Sequence, residues 1–164
     1  MAQIKELLKE LEQEGNTTRR MLAQVPTDKF GWQPHPKSMA VRSLATHIAE
    51  LPTWIGMILH TNELDFATSP YQPEKIDRSE DLMAYFERCL ADGKKELENA
   101  EGIDFSKDWV LRHGDTILSK SSKAEFIRHT FSQVVHHRAQ MGVYLRLLDI
   151  PIPGSYGPSA DMEW

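Results

Sequence analysis

Three histidines fall in the stretch Arg128–Gln140, which contains no glycine or proline. His137 lies on one broad arc with Ile127, Thr130, Val134, Met141, Tyr144, Leu145 and Leu148, the arc a helix draws at about 100° per residue. His129 and His136 sit seven residues apart on a neighbouring flank. Gln133, four residues before His137, stacks over it on the same face. His47 occupies a second apolar face, between Leu44 and Leu51. Polar groups on apolar faces need partners, because burying them unsatisfied is costly. If the two faces meet, the imidazoles of His47 and His137 can share a metal ion. Neutral imidazole suits zinc, nickel, copper or iron, and a catalytic ion keeps a position open for water or substrate. Gln133 offers a weaker third ligand through its amide oxygen. Hydrogen-bonded core histidines explain the same pattern without any metal. Glu50, three residues after His47, is open to four roles: ligand, base, orienting partner of a ligand, or half of an ion pair at the core edge.

Other chemistry is poorly represented. The one cysteine, Cys89, lies on an apolar stripe and reads as an inert core thiol. It excludes an intrachain disulfide and fits a reducing compartment. Arg138 reads as the partner of a carboxylate on a neighbouring helix. There is no glycine-rich phosphate loop and no evident nucleophilic triad. A net charge of −5 argues against nucleic acid as a partner. The N-terminus is charged from Lys5 onward and does not resemble a signal peptide, and no apolar run approaches membrane-spanning length. These features predict a cytoplasmic protein with no membrane and no nucleic-acid partner. The 164 residues suit one domain with a real core.

The elements that must position these residues read as helices. Ile4, Leu7, Leu8, Leu11, Thr18, Met21, Leu22 and Val25 keep a helical period up to Pro26. Residues 26–40 form a proline-rich connection, with Ser38 as a cap for the next helix. This second helix spans roughly 39–60, with Pro52 as a kink. Residues 61–78 read as a long connection, a crossover or lid. A third helix begins at an Asp77–Glu80 capping box and runs to about Glu101. A short hairpin is centred on His113-Gly114-Asp115. Ser122 and Glu125 form the capping box of a fourth helix, which runs to about Leu148, and the tail from Pro151 is not helical. The pattern predicts an all-α four-helix bundle with long connections and an irregular C-terminal tail.

Thr46-His47-Ile48-Ala49-Glu50-Leu51-Pro52 with Trp54, His136-His137-Arg138-Ala139-Gln140 with Tyr144-Leu145-Arg146, and the tail Ile150–Asp161 resemble the DinB-like (YfiT-like) metalloenzymes. The resemblance spans nearly the whole chain, as a single DinB-like domain over 1–164. It implies an up-down-down-up bundle and a homodimer. It also implies a divalent ion (zinc, nickel, manganese or iron) held by three histidines. His47 matches the first and His137 the third. The second position is Gln133, where a histidine is expected. Gln133 can ligate weakly, or Glu50, His129 or His136 can compensate. The implied activity is that of a metal-dependent hydrolase or thiol-dependent transferase acting on a small molecule, with a small thiol as cosubstrate. The departure at Gln133 keeps a second reading open, a non-catalytic stress-response or binding module with a degraded metal site.

Overall fold

Helix α1 (Ala2–Leu22) opens the computed structural model, which describes residues 2–162; Met1, Glu163 and Trp164 of the single domain expected over 1–164 lie outside. A 3-10 turn at Thr27–Lys29 leads to α2 (Val41–Glu50), a second 3-10 turn (Leu51–Thr53) and α3 (Trp54–His60). Strand β1 (Glu63–Asp65) precedes α4 (Ser79–Glu98); the hairpin β2 (Asp108–His113) and β3 (Thr116–Ser122) leads into α5 (Lys123–Leu147). Helices α4 and α5 each pack against α1 on one side and against the α2–α3 rod on the other.

The expected all-α four-helix bundle is corrected by the three-stranded sheet, of order β1-β2-β3. β1 runs parallel to β2, and β2 pairs antiparallel with β3 with a register shift between Leu111 and Arg112. The helices therefore share the fold with a mixed sheet. β1 lies inside the stretch whose composition suggests a plain connection. It has only three residues, and a partner far along the chain holds it extended. Asp65 ties the corner, its carboxylate accepting from the amides of Ala67 and Gly114, each at 2.9 Å. Gly114 turns the hairpin at φ 56°, a left-handed conformation suited to glycine.

Helix ends follow local chemistry unevenly. Ser122 and Glu125 form the reciprocal capping box that their spacing predicts. The Asp77–Glu80 box does not form: α4 starts at Ser79 with Arg78 as its cap residue. Ser79 is held instead by Thr27 Oγ1 at 2.9 Å and the Val25 carbonyl at 2.7 Å. Ser38 does not cap α2, whose cap position is Ala40. The C-terminus of α3 is capped from a distance. Lys123, buried at the start of α5, donates from Nζ to the carbonyls of Leu59 (2.6 Å) and Thr61 (2.7 Å). Those carbonyls lie where a helix runs out of amide partners and carries partial negative charge.

Pro52 does interrupt the second helix, through the 3-10 turn. The break is packed against α4 so closely that a Cβ on Gly93 would lie 2.5 Å from the Pro52 carbonyl oxygen. Only glycine fits there without backbone movement.

Both contacts bear on stability. Gly93→Ala is expected to destabilise by about 1–3 kcal/mol, where an unpacked helix would gain from the same change; an unchanged or raised urea midpoint would show that the turn is not seated on α4. Lys123→Met removes the donor from the buried Leu59 carbonyl and the part-buried Thr61 carbonyl and is expected to cost about 1–3 kcal/mol. A thermal melt coinciding with that of the unmodified protein would contradict that capping role.

Candidate active site

His47 and Glu50 lie one turn apart near the end of α2, just before the Pro52 break turns the rod. Glu50 is 7% exposed, so its charge needs partners. His47 Nδ1 donates to Glu50 Oε1 at 2.6 Å, and the Tyr71 hydroxyl, from the connection between β1 and α4, donates to Oε2 at 3.0 Å. The carboxylate thus fixes the tautomer of His47. With the proton on Nδ1, the lone pair is on Nε2.

His137 projects from α5 toward the same place, its ring centroid 4.8 Å from that of His47. Its Nδ1 donates to the amide oxygen of Gln140 at 2.9 Å, an acceptor that selects the same tautomer. Burial, helped by the neighbouring His47 and His136 imidazoles, holds His137 below the ordinary histidine pKa against the opposing effect of Gln140. It therefore presents Nε2 as a lone pair near neutral pH. The edges of Trp54 and Tyr71 each lie 6.3 Å from the His47 ring, between centroids. Burial of the hydroxyl, with the Glu50 charge beside it, pushes Tyr71 well above the ordinary phenol range.

Of the residues singled out from sequence, the structure brings together His47, Glu50 and His137. Gln133 lies one turn before His137, partly buried, and its amide nitrogen donates to His129 Nε2 at 3.0 Å. With the nitrogen so engaged, the amide oxygen makes no hydrogen bond among the described residues. His136 is exposed and stacks edge-on with His137 at 4.9 Å. Arg138 turns to the opposite side and pairs with Glu14 of α1 at 2.6 Å, buried at 2% exposure. Cys89 is a buried thiol pushed up to about 11, chiefly by desolvation, and is inert as a nucleophile at neutral pH. Tyr71 and Gln140 are the neighbours that sequence reasoning missed. Gln140 sits at i+3 from His137, the spacing of Glu50 from His47, so a signal for it existed; Tyr71 lies in a stretch without periodicity.

The donor set can be tested against a divalent metal. Two tautomer-locked imidazoles with an unengaged Nε2 each, one oriented by a carboxylate, have the chemistry of metal ligands. Gln133 adds one amide oxygen, a weaker donor. Among the described residues no group of three or more His, Cys, Asp or Glu is placed to hold an ion. The set therefore fits an open, weakly held ion and lacks a third strong ligand.

No curated protein is significantly similar in sequence. Among solved structures, a DinB-like protein from Bacillus cereus superposes with a TM-score of 0.69 at 17% identity, covering 93% of this chain and 97% of that one. A DinB-like protein from Bacillus subtilis gives 0.67 at 15%, covering 90% and 96%. A mycothiol-dependent maleylpyruvate isomerase gives 0.58 at 16%, covering 85% of this chain and 60% of its own. At such identities the matches speak to fold alone. The family's sequence model matches residues 1–163, and the chain belongs to the DinB family.

Proposed function

We propose that this chain is an enzyme of small molecules whose reaction centre is the His47–His137 pair, with a divalent metal as cofactor. The observation that carries the reading is the matched tautomers: Glu50 and Gln140 hold both Nδ1 protons, leaving two Nε2 lone pairs on rings 4.8 Å apart. His47, Gln133 and His137 would hold the ion; zinc, nickel, manganese and iron all suit the set. When bound, the ion supplies a Lewis acid that lowers the pKa of a coordinated water or thiol. Glu50 orients His47, and Gln140 orients His137 as a neutral and weaker acceptor. Trp54 walls one side of His47 and restricts water there. The chemistry is hydrolytic or thiol transfer. A small thiol is the cosubstrate we favour, because a thiol-dependent isomerase uses the same fold. Self-association as a homodimer belongs to the same reading, with exposed Val143 and Leu147 on α5 as an apolar face.

A second reading, a non-catalytic binding module with a decayed metal site, is favoured by one feature: glutamine at 133 and no third strong ligand nearby among the described residues. Elemental mass spectrometry of the untagged protein separates the two. Near-stoichiometric metal that disappears in the His47→Ala, His137→Ala double variant is the expected result. Sub-stoichiometric metal in both, even after soaking in zinc, nickel and manganese, would leave the decayed site. Gln133→His is expected to raise metal affinity by about tenfold or more, ~1.4 kcal/mol, measured by chelator competition. No gain would mean that position 133 does not face the ion.

A further inference from the structure

Tyr71 sits in a stretch held by side chains: past Pro73, Glu74 pairs with Arg88 at 3.5 Å and Asp77 with Arg42 at 3.6 Å, both exposed ion pairs. Residues 70–77 make no backbone hydrogen bond among the described residues. The stretch is fixed before it by the Asp65 turn, where the Ser69 amide donates to the Asp65 carbonyl at 2.9 Å, and after it by Ile76, which is 3% exposed within the core. Between these anchors Pro70 and Pro73 stiffen Pro70-Tyr71-Gln72-Pro73, whose tie to the body of the protein is the Tyr71 side chain. Tyr71 is 54% exposed overall. Its hydroxyl is nonetheless engaged, donating to the buried Glu50 carboxylate at 3.0 Å, and its ring stands edge-on to His47 at 6.3 Å and 87°.

A mostly exposed tyrosine gains little from burial where it lies, so its position rests on that hydrogen bond. The His47 imidazole is only 20% exposed, and the segment beside it makes no backbone hydrogen bond among the described residues. We propose that the segment from Pro70 to Pro73 is a strap over His47 and that Tyr71 is its latch. Release of the hydroxyl from Glu50 lets the ring swing away, and one side of the imidazole opens to a small molecule. The segment has prolines at both ends and anchored flanks, so it moves as a short rigid piece. This role rests on His47 as the reactive centre but requires no metal.

Carbethoxylation with diethyl pyrocarbonate reads access to His47 directly, with modified histidines located by mass spectrometry. It is run on the protein as purified and after chelator treatment, so an ion on the imidazoles cannot mask the result. His113, exposed in the hairpin, is the internal reference. In the unmodified protein His47 is expected to react more slowly than His113. In both Tyr71→Phe and Tyr71→Ala its plateau rate is expected to rise about tenfold, the shift from losing one hydrogen bond to a charged group. A rise in Tyr71→Ala alone would show that the ring covers His47 without a latch and would overturn the proposal. So would no rise in either variant. Metal content, measured separately, decides the reading of the ion.

Discussion

A carboxylate buried to the extent of Glu50 cannot be left without partners, and meeting that constraint shapes the surroundings. One oxygen takes the Nδ1 proton of His47 and the other takes the hydroxyl of Tyr71. The first contact selects a tautomer and the second holds a piece of the connection between β1 and α4. A single charge thus organises an imidazole and a loop together. No buried side-chain nitrogen or oxygen among the described residues lacks a partner, so the arrangement carries no unmet demand elsewhere.

The backbone delivers Glu50 to this place by a break rather than by a straight helix. Pro52 ends α2 soon after His47, and the absence of a side chain at Gly93 lets the turn sit directly on α4. The rod resumes as α3, and Trp54, its first residue, stands beside the imidazole. The other half of the site depends on where α5 begins. The hairpin, the Ser122–Glu125 box and the reach of Lys123 onto the end of α3 fix that start. His137 lies about four turns further along a rigid helix, so the sheet positions a side chain in the site from a distance.

This division explains what is legible in the sequence. The faces of His47 and His137 are legible, because helical periodicity encodes which side chains share a surface. That Arg138 pairs with a carboxylate of a neighbouring helix is legible, and which one, Glu14 of α1, is not. Of the mixed sheet only the β2–β3 hairpin is legible, from its His113-Gly114-Asp115 turn, and not its extent or its third strand. β3, Thr-Ile-Leu-Ser-Lys-Ser-Ser, leaves both Ile117 and Leu118 exposed and so lacks the alternation of a half-buried strand. β1 exists because residues far later in the chain pair with it, Glu63 with Val110 and Asp65 with Arg112. A capping box can be read at Ser122 because its partners are local. At Asp77 the same pattern is outcompeted by Thr27 and Val25, which arrive from another element. Tyr71 belongs to this second kind, a contact made by tertiary structure in a segment without a pattern.

Shared fold does not settle the chemistry, since the thiol-dependent isomerase and the Bacillus proteins resemble this chain equally faintly in sequence. Gln133 bears on it more directly. A glutamine amide has a donor end and an acceptor end, and which end faces an ion depends on what the other end meets. His129, one turn earlier, takes the nitrogen. The neighbour supplied by the helix repeat thus occupies the donor, and the acceptor remains to be used. On the proposed reading His129 acts on position 133 as Gln140 acts on His137 and Glu50 on His47. On that reading each of the three candidate ligands has one polar end already taken. His129 joins the set on the same reading, although its spacing marks it only as a residue at the edge of the apolar arc.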